Sequence, residues 1–184
     1  MPALPASFKQ LPWLTAVGAF GFISATLLRE YNSGGIKAHH FLQQKDMPAL
    51  SNAWGLLILP LLGWAAGYFI NKRIIAAADA SARGKVLTVA VLSFAAALAA
   101  GFSVSGLFRQ DRIDILEWVP LVFLVAAVLL PVYRLECLLG FVVGMTHTFG
   151  PVIPLVFGGI FVLISILVLR LLWPKLRKFF LKRH

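Results

Sequence analysis

The amino-acid sequence predicts an all-α fold, a bundle of helices that crosses a membrane several times. Of its 184 residues, 60% are hydrophobic and 13% are charged, and the mean hydropathy is +0.87. Long uncharged runs alternate with short charged stretches. A transmembrane helix needs about 20 apolar residues to cross about 30 Å of hydrocarbon, and several of these runs are that long. This composition excludes a water-soluble fold and predicts a polytopic membrane protein.

Four spans are predicted in the first three-quarters of the chain. They cover residues 11–28, 53–70, 86–108 and 116–133. Lys9 before the first run is typical of a signal peptide, but Arg29 and Glu30 close the run without a clear small-residue cleavage site. We therefore interpret the first span as an uncleaved anchor. The other three runs also end at basic residues, namely Lys72, Arg109 and Arg134.

The last apolar run, residues 137–169, is too long for one crossing. Its 33 residues would form a straight helix of about 50 Å. Gly150, Pro151 and Pro154 mark the break, because proline lacks an N–H group and disfavours helix in the residue before it. The sequence therefore predicts a fifth segment at residues 135–149 and a sixth span at 151–173. The fifth segment is short, so it either crosses fully or forms a re-entrant half-helix.

The distribution of Lys and Arg predicts the orientation of the bundle. Six spans with both termini inside place twelve of these residues on the inner side and five on the outer side; five spans with a re-entrant segment place eleven inside and six outside. We take six spans, with the C-terminus and the N-terminus both cytoplasmic. Residues 1–174 form a single transmembrane domain, and residues 175–184 form a basic cytoplasmic tail.

The net charge of +10 indicates a lipid partner rather than nucleic acid. The basic residues crowd the ends of the apolar runs, where they meet the headgroups of the lipid bilayer. Anionic headgroups on the cytoplasmic side are predicted to bind the tail through Lys175, Arg177, Lys178, Lys182 and Arg183.

Small residues predict close helix packing. Two GxxxG pairs occur, Gly63 with Gly67 and Gly140 with Gly144, and the third span carries a stripe of Ser93, Ala96, Ala97, Ala100 and Gly101. Small side chains let helix backbones approach closely where no hydrophobic effect drives association. The stripe is therefore expected to lie against a neighbouring helix. The pattern predicts a compact bundle and is compatible with a homo-oligomer, but it does not separate packing within the chain from subunit contact.

One face of the fifth segment carries ionisable residues that are not expected to contact lipid. At about 100° per residue, this face holds Glu136, Gly140, Gly144 and His147. One interpretation is a path or cavity for a substrate or ion, with Glu136 held by Arg134 or another basic residue. The alternative is an interfacial turn of Arg134 and Glu136, with His147 in the outer headgroups. Val142 lies on another side of the helix and is expected to tolerate Val142→Leu.

The first outer loop raises the question of a metal site. Residues 29–52 contain His39 and His40, and His147 lies on the same predicted side. Adjacent histidines on a regular helix point about 100° apart, so we expect solvated histidines; His39, His40 and His147 are the candidate ligands if a metal binds. The single cysteine, Cys137, excludes an intramolecular disulfide. Ser51 or Asn52 is expected to cap the second span.

No catalytic motif stands out. The sequence has no nucleotide-binding glycine loop, no HExxH and no GxSxG, and no cofactor is predicted. The leading hypothesis is a small transport or channel-like protein for a small solute or ion, acting as a homo-oligomer. Two alternatives stay open: a membrane-embedded enzyme that acts on a lipid or lipid-soluble substrate, and a non-catalytic subunit of a membrane complex.

Overall fold

The computed structural model describes residues 6–40 and 49–175, apart from the side chains of residues 6, 7, 39, 40, 49 and 50. Its helices are α1 (Ala6–Lys9), α2 (Leu11–Asn32), α3 (Gly55–Ile75), α4 (Ala80–Arg109), α5 (Ile113–Leu116), α6 (Val119–Leu129), α7 (Leu135–Phe149) and α8 (Val152–Ile166), which a π-helical stretch extends over Leu167–Leu172. These helices confirm the predicted transmembrane helical bundle. Of the tail predicted to bind headgroups, only Lys175 lies within the described residues, and its side chain is exposed.

Within the described residues, four helical stretches are long and apolar enough to cross a membrane: Leu11–Asn32, Asn52–Ile75, Ala80–Arg109 and Val152–Lys175. They correspond to the predicted first, second, third and sixth spans. The predicted short fifth segment is α7, whose 15 residues rise about 22 Å. The break before α8 lies at Gly150, which has φ 70°, and Pro151 follows it as the N-cap of α8.

The predicted fourth span is only partly helical. Helix α6 has 11 residues and rises about 16 Å, which is too short to cross a bilayer alone. It ends because Pro131 disfavours helix at Leu130, which adopts φ −112° and ψ 149°. The chain then continues without helix to Arg134, in contact with α8. The number of full crossings therefore remains a prediction.

Helix α8 and its π-helical extension pack along the whole of this interrupted segment. The rings of Phe123 and Phe161 lie 5.6 Å apart, and the guanidinium of Arg170 lies 4.5 Å from the ring centre of Tyr133. Between these contacts, the Ser165 hydroxyl donates to the Leu130 carbonyl at 3.1 Å. Backbone outside a helix is tolerated at membrane depth only where protein groups or a cavity satisfy it, and Ser165 provides one such group.

Helix α7 is the centre of the bundle. It packs against α3, α4 and α8, and more than half of its residues are buried. Val142 is fully buried, so the expectation that it faces a tolerant surface is wrong. The helical angle correctly separated Val142 from Glu136, but neighbouring helices cover both sides of α7.

The GxxxG glycines form helix–helix contacts within the chain. A Cβ atom on Gly63 would lie 2.7 Å from the Thr15 carbonyl oxygen of α2, and one on Gly144 would lie 2.5 Å from the Leu98 carbonyl oxygen of α4. Gly101 completes the contact between α4 and α7, since its Cβ would lie 2.6 Å from the Phe141 carbonyl oxygen. These glycines therefore bring α2 onto α3 and α4 onto α7.

A short hairpin connects α2 to α3. Strands β1 (Ala38–His40) and β2 (Ala49–Ser51) pair antiparallel, with His39 opposite Leu50. A single 3₁₀ turn, Asn52–Trp54, leads into α3, and the Ser51 hydroxyl caps it by accepting from the Ala53 N–H at 3.2 Å. The predicted cap is therefore Ser51.

Candidate functional site

Helix α3 is tied to its neighbours by a buried carboxylate at each end. Asn52, just before α3, contacts Glu30 of α2, and Arg73, in the last turn of α3, contacts Glu136 of α7. We call these two regions the Glu30 end and the Glu136 end of the bundle. With its 21 residues, α3 separates them by about 32 Å.

The Arg73–Glu136 ion pair is the main polar contact at the Glu136 end. Arg73 Nη2 donates to Glu136 Oε1 at 2.6 Å. Glu136 is 2% exposed, whereas the Arg73 side chain is 31% exposed. The second carboxylate oxygen, Glu136 Oε2, is buried and has no hydrogen-bond partner in the part of the chain that the structure describes. The helix dipoles favour both charges, because the anionic Glu136 lies in the first turn of α7 and the cationic Arg73 in the last turn of α3.

The sequence predicted a basic partner for Glu136, and the structure identifies it as Arg73. Arg134 is half-buried and forms no salt bridge within residues 6–40 and 49–175. The available signal was the topology, since Arg73 ends the second span on the side where Glu136 begins the fifth segment. That signal placed several basic residues together and did not single out Arg73.

One face of α7 is shared by Glu136, Gly140, Gly144 and His147. This face packs against α4 at Gly140 and Gly144. Beyond the close approach at Gly144, the Gly144 carbonyl accepts a hydrogen bond from the Ser105 hydroxyl at 3.3 Å. A Cβ atom on Gly140 would collide with the backbone of Phe94. His147 is half-buried near the other end of α7. The structure therefore does not bring Glu136 and His147 together, and α4 fills the space beside both glycines.

An apolar groove of about 420 Å³ reaches Glu136 from the outside of the bundle. It exists because α2 packs chiefly on α3 while α4 packs chiefly on α7, so a gap remains between α2 and α4. We call it the α2–α4 groove; its walls include Leu11, Gly18 and Phe22 of α2 and Leu87 and Val91 of α4, and Glu136 lies in its floor. Gly18, Leu87 and Val91 are exposed, so the groove opens on the surface that lipid would cover.

The Glu136 end of the groove is closed by hydrophobic packing. Ile70, Ile74 and Ala90 form a buried cluster there, with Phe8 and Leu11 against it. A ligand would therefore enter from the side, through lipid, more readily than along the bundle axis.

A second cavity of about 330 Å³ lies between α4, α6, α7 and α8. The predicted small-residue stripe of α4 borders it: Ala96, Ala97 and Ala100 line the cavity, together with Pro131, Cys137 and Phe161. Ala96 is exposed, so the expectation that the whole stripe lies against a neighbouring helix is wrong. Gly101 makes a close backbone contact with α7, whereas the alanines border the cavity beside the interrupted fourth segment.

The Glu30 end holds the hairpin in place. Glu30 is 4% exposed and accepts hydrogen bonds from Asn52 Nδ2 at 2.7 Å and from the Lys37 N–H at 3.1 Å. Gly35, with φ 118°, turns the chain back so that its N–H donates to the Glu30 carbonyl at 3.1 Å. Asn52 was expected only as a helix cap; its reach back to Glu30 was not predicted, because the sequence does not show which side chains meet across a loop.

The connection between α4 and α6 is exposed at the Glu30 end. Arg112 donates to the Asp114 carboxylate at 3.0 Å on an exposed surface. This hydrogen bond holds the pKa of Asp114 below its usual range. Exposed pairs of this kind contribute little to stability.

The metal hypothesis gains no support from the described residues. No group of three or more His, Cys, Asp or Glu side chains that would hold a metal ion occurs among them. His39 and His40 lie on β1, and their side chains are outside the described part of the chain. His147 is on α7.

Basic side chains are unevenly divided between the two ends. Within the described residues, the Glu136 end carries Lys9, Lys72, Arg73, Arg83, Lys85, Arg134, Arg170 and Lys175 against Asp79 and Glu136, whereas the Glu30 end carries Arg29, Lys37, Arg109 and Arg112 against Glu30, Asp111, Asp114 and Glu117. Cytoplasmic ends of membrane proteins are enriched in Lys and Arg. The excess of basic residues at the Glu136 end therefore supports the prediction that this end is cytoplasmic.

Comparison with known proteins found no match. No protein family, no curated protein and no solved structure matches this chain.

Proposed function

We propose that this multi-pass membrane protein transports a small amphiphilic solute, which it takes up from the bilayer through the α2–α4 groove. The observation that carries the proposal is the buried carboxylate of Glu136, paired with the partly exposed Arg73, at the floor of a groove that opens towards lipid. Ionisable groups inside a membrane bundle are unfavourable and commonly mark a substrate or ion pathway. Here the carboxylate lies where an entering molecule would meet it.

The interrupted fourth segment supports the same proposal. Helices that break at membrane depth are common at the binding sites of transporters, where the free backbone groups line a cavity. Leu130, Pro131 and Val132 line the cavity between α4, α6, α7 and α8. Helix α7, which begins directly after this break, carries Glu136.

The residues predicted to line a path take different roles in this proposal. Glu136 contacts the solute, and Gly140 and Gly144 allow α4 to approach α7 and so shape one wall of the groove. Arg134 belongs to the basic surface at the Glu136 end. His147, near the Glu30 end, would meet the solute only after it has crossed.

A homo-oligomer is part of the proposal. The groove extends from Leu11 to Phe22 along α2, about 16 Å, which is roughly half of the ~30 Å hydrocarbon core. One chain therefore supplies a protein surface for only part of the crossing, and a second copy would supply the rest. Native mass spectrometry of the purified protein is expected to show a dimer or a larger assembly; a monomer at every detergent concentration tested would contradict this part of the proposal.

The transport proposal is tested by lipid movement between leaflets. The purified protein is reconstituted in phosphatidylcholine vesicles with a trace of an NBD-labelled lipid, and dithionite is added to bleach the outer leaflet. Separate samples contain NBD-labelled glucosylceramide, phosphatidylcholine or phosphatidylglycerol, none of which crosses readily unaided. At least one is expected to become fully accessible to dithionite, whereas protein-free vesicles retain their inner-leaflet signal.

Two glycines of α2 provide a matched pair of variants. A Cβ atom on Gly18 or on Gly21 would have no neighbour within 4 Å, so each site has room for a leucine. Gly18 lines the groove. Gly18→Leu is expected to abolish lipid movement and Gly21→Leu to preserve it. Movement of no lipid by the wild type, or equal activity of the two variants, would refute transport through this groove.

A further inference from the structure

Glu136, which lines the α2–α4 groove, carries one polar atom whose hydrogen bonding is unsatisfied. Glu136 Oε2 is buried and has no hydrogen-bond partner among the described residues, while Oε1 is bound by Arg73. The hydroxyl of Thr15, which also lines the groove, is engaged with its own helix, donating to the carbonyls of Leu11 and Pro12 at 2.9 and 3.0 Å. A buried carboxylate oxygen without a donor is strongly unfavourable, so Glu136 lacks one hydrogen-bond donor at this end of the groove.

Charge decides which donor fits. The carboxylate of Glu136 is already balanced by the Arg73 guanidinium at 2.6 Å, so the pair is neutral as a whole. An ammonium group would add an uncompensated positive charge beside Arg73, and an anionic group would meet Glu136 Oε2 directly. Both are unfavourable where the surrounding groove is apolar. A hydroxyl group donates one hydrogen bond and brings no charge.

We propose that the groove binds lipids with a neutral, hydroxylated headgroup, whose hydroxyl donates to Glu136 Oε2 while an acyl chain lies between α2 and α4. This inference rests on the proposed function and names its substrate class. The apolar walls from Leu11 to Phe22 match a hydrocarbon chain along about 16 Å. The carboxylate at the Glu136 end of the groove matches a headgroup near one membrane surface.

The probe is a glucosylceramide with a photoactivatable diazirine in its acyl chain, compared with a phosphatidylcholine that carries the same chain. Each is irradiated with the wild-type protein in nanodiscs, and the labelled peptides are identified by mass spectrometry. Glucosylceramide is expected to label Leu87 and Val91 at about tenfold lower concentration, since a hydrogen bond to a charged group contributes at least about 1.4 kcal/mol. This comparison needs no variant.

The double variant Arg73→Met/Glu136→Leu removes the acceptor without leaving an unpaired charge. It is expected to lose the preference for glucosylceramide and to retain labelling by the acyl chains. Thr26→Val, which changes a threonine of α2 that does not line the groove and whose hydroxyl also donates within its own helix, is expected to keep the preference. Equal labelling by both lipids in the wild type, a preference for phosphatidylglycerol, or a preference retained in the double variant would overturn the inference.

Failure of this inference and failure of the proposed function give different results. If phosphatidylcholine moves between leaflets as fast as glucosylceramide and Gly18→Leu blocks both, transport through the groove stands and the headgroup assignment falls. If glucosylceramide labels the groove selectively but no lipid moves, the binding site stands and the transport function falls.

Discussion

Among the described residues, Glu30 and Glu136 are the buried carboxylates, and each is matched by a residue on another part of the chain. Glu30 accepts from Asn52 at 2.7 Å and Glu136 from Arg73 at 2.6 Å. Removing one partner from a buried ion pair is more damaging than replacing both, because the remaining charge stays desolvated. The two sites therefore allow clear tests with single and double variants.

Arg73→Met is expected to destabilise the protein by about 3 to 5 kcal/mol, because Glu136 would remain buried without its counter-charge. Adding Glu136→Leu is expected to restore most of that stability, since the pair is then replaced by apolar side chains. Unfolding by denaturant in mixed micelles measures both. A single variant as stable as the wild type would show that Glu136 does not depend on Arg73.

Gly144→Leu is expected to destabilise the contact between α4 and α7 by at least about 1 to 3 kcal/mol, the usual effect of overpacking. A Cβ atom at this position would lie 2.5 Å from the Leu98 carbonyl oxygen, which cannot move away without the helix. Gly106→Leu is the matched control, because its Cβ would have no neighbour within 4 Å. The same unfolding assay compares them, and equal stability of both variants would argue against this helix contact.

At the scale of the elements, the hairpin depends on a few polar contacts. Asn52→Leu removes the donor to Glu30, leaves that carboxylate with only the Lys37 N–H, and is expected to weaken this end by about 1 to 3 kcal/mol. Hydrogen exchange in residues 33–37 is expected to become faster, while exchange in α7 stays unchanged. Lys37→Ala keeps the backbone donor and should exchange like the wild type. Unchanged protection in Asn52→Leu would contradict the role of Asn52.

At the scale of the whole molecule, orientation is the main open prediction. In a Cys137→Ser background, single cysteines are introduced at Lys37 and at Lys175, both exposed and at opposite ends of the bundle. An impermeant maleimide added to intact cells is expected to label the Lys37 site and to reach the Lys175 site only after permeabilisation, because basic ends face the cytoplasm. The reverse pattern would invert the topology.

The features that the sequence predicted are those that depend on contact between each helix and the bilayer. Hydropathy and charge predicted the transmembrane bundle, because spanning helices must be apolar over a known length. The same reasoning predicted α7 and its break at Gly150, since an apolar run of 33 residues cannot remain one helix in a bilayer. These features depend on local composition alone.

Only the tertiary structure decided how the helices meet. That α7 lies at the centre, with Val142 buried, depends on α3, α4 and α8 surrounding it. The pairing of Glu136 with Arg73, 63 positions apart, and the gap between α2 and α4 also depend on which helices pack together. In a membrane every span is apolar, so hydrophobicity does not distinguish one partner from another; close shape and a few buried polar groups select the neighbours, and neither can be read along a single helix.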